Sequence, residues 1–206
     1  MTAIREANYY LVVDLEATCD DAGAIPRGEN ETIEIGAVLV DGANLSVIAE
    51  QTIFVCPILH PRLTPFCTEL TSITQDMVDH ALLFPAAIAR LVAFGTRALF
   101  CSWGNYDRNQ LAADCARHGI PMPLSEHWNL KDGYAYRAGS RKGLGTMAAM
   151  RRLGIPFTGT HHRGIDDARN IAKMLPYILG RVSSGSAVAA AGAGRWPAAR
   201  REAATD

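Results

Sequence analysis

The chain predicts an α/β domain in which helices flank a mixed five-stranded sheet, antiparallel at its start and parallel beyond. Three observations carry this. Residues 9–13 (Tyr-Tyr-Leu-Val-Val) are continuously apolar and β-rich, as in a strand buried on both faces. Two further apolar runs, 33–40 and 45–55, are split by Asp41-Gly42, a hairpin signal. From residue 84 onward, helical patterns alternate with two more short apolar runs. A meander followed by alternating helices and strands is the layering of one sheet with helices against it.

Composition sets the bounds. At 206 residues, 49% of them apolar, the chain can bury the core of one domain. The net charge of −1 hides an asymmetry, because residues 1–130 carry 7 Lys/Arg against 16 Asp/Glu, and residues 131–206 carry 13 against 5. An acidic half beside a basic half suits a cation-loaded site next to a phosphate-binding surface. The five cysteines form no C-x-x-C pair, and Cys56, Cys67 and Cys101 lie in apolar runs, as reduced thiols do. No signal-peptide pattern or membrane-spanning stretch occurs, so the expected location is cytoplasmic, with no membrane partner. Residues 1–181 read as the domain. Residues 182–206, rich in Ala, Gly, Ser and Arg, are expected to be a disordered tail.

In order, the first strand ends in Asp14-Leu15-Glu16. Residues i and i+2 of a strand point to the same side, so the two carboxylates converge and repel unless a cation lies between them. A turn-rich loop (18–31) precedes the second and third strands, and Pro57 and Pro61 end the meander. Thr64-Pro65 reads as an N-cap with proline at the first helical position, opening a short helix through Leu70. A second short helix follows within 72–79, and 84–94 is a clear helix stopped by Gly95. Residues 98–101 form a buried strand that runs into Ser102-Trp103-Gly104-Asn105-Tyr106-Asp107. Asp107 heads a helix through His118 and faces that helix's apolar stripe. Residues 128–130 are a short strand, and 143–153 and 165–179 are the last two helices.

The final helix begins after His161-His162-Arg163-Gly164-Ile165-Asp166-Asp167. A histidine four residues ahead of an aspartate fits two registers, His161 with Asp166 or His162 with Asp167. Asp167 stacks over Ile171, Met174 and Ile178, while Asp166 stacks over Asn170, Lys173 and Tyr177. The inward carboxylate is therefore Asp167, which is costly to bury unless paired or bound to a metal. Asp14, Glu16, Asp107 and Asp167 can converge at one end of the sheet. Four carboxylates are hard acceptors suited to Mg²⁺ or Mn²⁺, and no His–Cys cluster suggests zinc. A pair of such ions clamps both oxygens of an in-line phosphoryl displacement, and a neutral histidine beside them deprotonates the attacking water. Metal-dependent phosphodiester hydrolysis follows from these residues; the substrate does not.

Asp14-x-Glu16, Asn105-Tyr106-Asp107 and His162-x₄-Asp167 resemble the three motifs of the DEDDh 3′–5′ exonuclease superfamily. The text between them ("DLEATCDD", "ETIEIGAV", "PILHPRLTPFCTELTSITQ", "CSWGNYDRNQ", "GTHHRGIDDARNIA") resembles the Eri-type exonucleases, which include the histone-mRNA 3′-end exonuclease and bacterial KapD-like proteins. The resemblance covers about residues 8–180. It implies an RNase H-like fold and two Mg²⁺ ions, Mn²⁺ being a substitute. Asp14, Glu16, Asp107 and Asp167 are the implied metal ligands and His162 the implied general base, with His161 a neighbour. Glu16, Ala17, Thr18, Tyr106 and His162 match positions that meet the terminal nucleotide. Leu70 and Ile73 correspond to a base wedge, core packing being the simpler reading, and Arg163 and Arg169 are candidates for backbone phosphates. The implied partner is a single-stranded nucleic-acid 3′ end, RNA preferred over DNA, cut to 5′-mononucleotides. DNA or short oligonucleotides are the alternative substrates, and a non-cleaving nucleic-acid-binding relative is the alternative class. The glycine of the family's "LTGIT" is Ser72 here, and a counterpart of the histone-RNA member's separate nucleic-acid-binding module is not expected among these residues.

Overall fold

The computed structural model describes residues 4–26 and 28–183. The tail reading for 182–206 lies, from residue 184 on, outside the described residues. Five strands form one sheet in the order β3-β2-β1-β4-β5, built from β1 (Tyr9–Ala17), β2 (Thr32–Asp41), β3 (Val47–Phe54), β4 (Leu99–Ser102) and β5 (His127–Asn129). β1 is central: it pairs antiparallel with β2 on one side and parallel with β4 on the other. β3 pairs antiparallel with β2, and β5 parallel with β4, so the mixed sheet has the expected composition.

Alternation along β1 splits the core into two layers. Tyr10 and Val12 join Val38, Val40, Cys101 and Trp128 against α5 (Leu130–Arg137), α6 (Thr146–Leu153), α7 (Gly164–Ala172) and α8 (Leu175–Ile178). Leu11, Val13 and Leu15 join Ile35, Ala37 and Phe100 against α3 (Phe84–Phe94) and α4 (Tyr106–Arg117). Having apolar residues on both faces is what a strand covered on both sides requires. A smaller cluster of Ile33, Cys67, Ile73 and Val78 holds α1 (Pro65–Thr71) and α2 (Gln75–Asp79) beside the sheet.

Several boundaries have local causes. Thr64 caps α1, its hydroxyl accepting from the Cys67 amide at 3.0 Å, and Ser72 closes it in the left-handed region at φ 59°. Two elements differ from expectation. α5 has no counterpart in the pattern because its helical apolar periodicity is weak and Gly133 sits inside it; the Asn129 side chain nucleates it by accepting from Lys131 and Asp132 amides. The single helix expected at 165–179 is broken into α7 and α8. Pro176 lacks the amide needed to continue the ladder, and its ring clashes with the carbonyl four residues back, so the chain turns at Lys173-Met174. No helix among the described residues is long and apolar enough to cross a membrane.

Candidate active site

Asp14 and Glu16 stand on the same face of β1, as their spacing requires, and that face is covered by the start of α7. One carboxylate oxygen each from Asp14, Glu16 and Asp167 lie within 4.8 Å of one another. Glu16 is 9% exposed, Asp167 6%, and Asp14 is half-buried. Asp107 reaches the same end of the sheet from the opposite layer. It is 4% exposed and its Oδ1 accepts the Leu15 amide at 3.0 Å, so it is fastened to the backbone between the two β1 acids. Asp107 stands just outside the tight trio, near enough to act electrostatically on Asp14 and Glu16. It is not the helix cap: Asn105 holds the N-cap position of α4 and Asp107 lies inside the first turn.

What brings Asp167 down onto β1 is the absence of two side chains. A Cβ on Gly36 of β2 would lie 2.0 Å from the Gly164 carbonyl carbon, and one on Gly164 would lie 2.9 Å from the Asp14 oxygen. The first turn of α7 therefore rests directly on the β1–β2 backbone, closer than any other residue pair permits. The preceding turn is held as firmly. His162 adopts φ 61°, in the left-handed region where few non-glycine residues sit, and its amide donates to Asp167 Oδ2 at 2.7 Å. The base candidate and the carboxylate are thus tied to each other.

The second register does not reach the cluster. Asp166 accepts from Arg169 at 2.7 Å and from the Thr160 amide at 2.9 Å, and His161 is exposed, edge-on to His162 with ring centroids 3.9 Å apart. The face beneath Asp166 is itself partly buried: Asn170 is fully buried, and its side-chain amide bonds both backbone groups of Thr158.

The electrostatics of the trio are those of buried like charges held close together. Burial and then the neighbouring acids, Asp107 first, hold the Asp14 carboxyl well above its ordinary range. Burial and the Asp167 and Glu34 charges push Glu16 up to about 8. Burial raises Asp107 to about 6 against the pull of the Leu15 amide, and raises Asp167 as well. Like charges this close ionise together only if a cation joins them. The donor set is all carboxylate oxygen, which fits a hard divalent cation. His162 shifts the other way: burial, with His161 second, lowers it below the ordinary imidazole value, so it is neutral near pH 7.

The proposed nucleotide contacts fare unevenly. Tyr106 is 56% exposed at the head of α4, open for stacking rather than packed in the core. Thr18 is 1% exposed and its polar groups are spent on the loop: its amide donates to the Glu31 carbonyl, its hydroxyl accepts the Glu31 amide, and its carbonyl accepts Asn30 Nδ2. Ala17 is 7% exposed, its carbonyl facing the Cys67 thiol. Ile73 is fully buried in the small cluster and so is core, while Leu70 is half-buried. Arg169 is bound on both sides, by Glu50 and Asp166.

Glu34 belongs to the site and escaped the sequence reading. It is Glu16's cross-strand partner, fully buried, and its Oε2 accepts from Arg163 Nε at 3.1 Å and from the Gly164 amide at 3.2 Å. A charged residue between Ile33 and Ile35 in a strand buried on both faces was the available signal.

Comparison with known proteins agrees with this geometry. A model of the exonuclease family (RNase T) matches residues 11–175. Human ERI1 exoribonuclease 3 is 32% identical over 186 residues, which cover 84% of this chain and 54% of that protein. The 3′-5′ exonuclease Snipper of Drosophila melanogaster is 30% identical over 196 residues, covering 84% and 70%. The nuclease domain of 3′hExo, a DEDDh family member solved bound to rAMP, superposes with a TM-score of 0.75 at 25% identity, covering 87% of this chain and 94% of that one. A 3′-exonuclease solved in 3′-end recognition of a histone mRNA stem-loop gives 0.78 at 25% identity, covering 84% and 64%. The chain spans about half the length of the first of these curated relatives. With an RNase H-like sheet, an acidic trio from two separate segments joined by Asp107 from a third, and relatives of this kind, the chain belongs to the exonuclease (RNase T) family, among its DEDDh 3′–5′ exonucleases.

Proposed function

We propose that the protein is a metal-dependent 3′–5′ exoribonuclease that removes 5′-mononucleotides from single-stranded 3′ ends. The observation that carries this is the meeting of Asp14, Glu16 and Asp167 within 4.8 Å, beside a buried Asp107 and a histidine kept neutral. Asp14, Glu16, Asp107 and Asp167 would hold two Mg²⁺ ions, Mn²⁺ being a substitute. When bound, such ions neutralise the carboxylates and stabilise the charge on the attacking and departing oxygens of an in-line displacement.

The chain's own residues supply the rest. The neutral ring of His162 takes one proton from the attacking water as the water oxygen bonds phosphorus and the bond to the 3′-oxygen of the penultimate nucleotide breaks. The strained turn and the amide bond to Asp167 fix the main chain that carries that ring before substrate arrives, which reduces the ordering left for the reaction itself. Tyr106 offers an exposed ring on which the terminal base can stack, and Glu16 reaches the same end of the site. Preference for RNA requires contact with the 2′-hydroxyl.

The test is a 5′-labelled single-stranded RNA, and the DNA of the same sequence, incubated with the protein and Mg²⁺, with and without EDTA. A ladder shortening from the 3′ end of RNA and abolished by EDTA is expected. Faster loss of DNA would reassign the substrate, and no cleavage of either with Mg²⁺ or Mn²⁺ would overturn the proposal.

A further inference from the structure

One rung of the sheet carries Glu16 of β1, Glu34 of β2 and Phe54 of β3 as direct cross-strand partners. Partners on a rung share a face, and neighbouring strands lie roughly 4.8 Å apart, so Phe54 stands roughly 10 Å from Glu16. Arg163 lies across this rung. Its Nε donates to Glu34 Oε2 at 3.1 Å, and its guanidinium carbon sits 5.7 Å from the centroid of the Phe54 ring.

A guanidinium has five N–H donors in a planar fork. Glu34 occupies the one on Nε, and among the described residues no hydrogen bond is made by Nη1 or Nη2. The side chain is nevertheless only 21% exposed, so its direction is set by the protein rather than by solvent. Arg169 is the contrast: Nε and Nη2 go to Glu50 and Nη1 to Asp166, which leaves it no face to offer. Glu34 itself needs an explanation. A fully buried carboxylate near enough to act on Asp14 and Glu16 is costly, and its Oε1 has no partner among the described residues. Aiming Arg163 while neutralising part of that charge gives it one.

We propose that Arg163 binds a backbone phosphate of the RNA strand a short distance upstream of the cleaved bond, with Glu34 and Phe54 as the positioning residues that aim its two terminal nitrogens. This rests on the exoribonuclease reading for the identity of the strand. A fork held at Nε and over a ring presents both terminal nitrogens to one phosphate, the bidentate geometry that makes arginine–phosphate contacts strong.

The test measures KM for a single-stranded RNA dodecamer in Mg²⁺ at several salt concentrations, alongside direct binding of the same RNA by fluorescence anisotropy. Arg163→Met should weaken both by about tenfold, the worth of one charge-assisted contact. It should also reduce the slope of log affinity against log salt by about 0.7, the share of one phosphate on a single strand. Arg163→Lys should recover the slope but not the affinity, since an ammonium is a point charge with no fork. Glu34→Gln should weaken affinity in the same direction, and Arg169→Met should change neither quantity. A folded Arg163→Met protein with unchanged affinity and salt slope would overturn the assignment, as would full recovery of affinity by lysine. Because anisotropy needs no turnover, a wild-type protein that binds RNA without cleaving it counts against the exoribonuclease reading alone.

Discussion

His162 carries two requirements that a free histidine does not meet together. It must be neutral to accept a proton, and it must stay within reach of the carboxylates. Burial supplies the first and a left-handed backbone tied to Asp167 the second. His162→Ala is therefore expected to lower kcat by about 10²–10⁴, the usual contribution of a positioned base, while exposed His161→Ala stays near wild type. Steady-state rates of both variants, each shown to be folded by circular dichroism, check this; an inactive His161→Ala protein would transfer the base to the other register. The pH dependence has a definite sign. Because the folded-state pKa lies below the ordinary imidazole value, kcat/KM in Mg²⁺ should hold its plateau to lower pH than a free histidine would allow and fall below that. A loss of activity already above the ordinary value would contradict the lowered pKa.

The elements show where the sequence was legible. Strands β1 to β4 and helix α3 follow from apolar runs and their punctuation, and the Asp14–Glu16 pair from period two alone, because one property repeating along a segment is enough to define them. Asp167 could be separated from Asp166 by the same means, since three residues of its stripe are buried. Contacts between distant segments could not be read that way. Nothing near Gly36 or Gly164 announces that their main chains touch, and Glu34's role depends on a cross-strand neighbour and a turn 129 residues away. α5 depends on a cap from Asn129 rather than on periodicity, and the break after α7 was marked only by Pro176, a signal present but unused. At this scale Gly36→Ala is the decisive substitution. With 2.0 Å to a backbone carbon, nothing flexible can yield, so a loss of about 1–3 kcal/mol or more in thermal or urea unfolding is expected. Displacement of α7 should lower activity in the protein that remains folded. An Ala variant with normal stability and rate would show that the layers can separate freely.

Across the whole molecule, the acids at the site work against the fold that assembles them. Glu16 binds its proton with a pKa of about 8 in the folded chain against 4.5 ordinarily, and Asp14, Asp107 and Asp167 are displaced the same way. The folded form then holds more protons than the unfolded one, so these groups favour folding below about pH 4.5, and that advantage is lost as pH rises to about 8. Thermal midpoints in EDTA should decline across this window, and Mg²⁺ should reverse the decline most at the alkaline end. Midpoints that climb with pH in EDTA would contradict the arrangement of charges described for the trio. The composition asymmetry fits the same picture: the first 130 residues supply Asp14, Glu16, Glu34 and Asp107, while His162, Arg163 and Asp167 come from the basic remainder.

The contact of Gly36 with Gly164 has a further consequence for how such a protein can change over time. Where a helix is spaced from a sheet by side chains, each replacement in the core alters the gap and detunes whatever the two surfaces hold between them. Here main chain rests on main chain, so the gap acts as a fixed gauge that side-chain replacements elsewhere cannot reset. The surrounding core is free to drift in sequence while the offset between the acids of the sheet and the carboxylate of the helix stays the same.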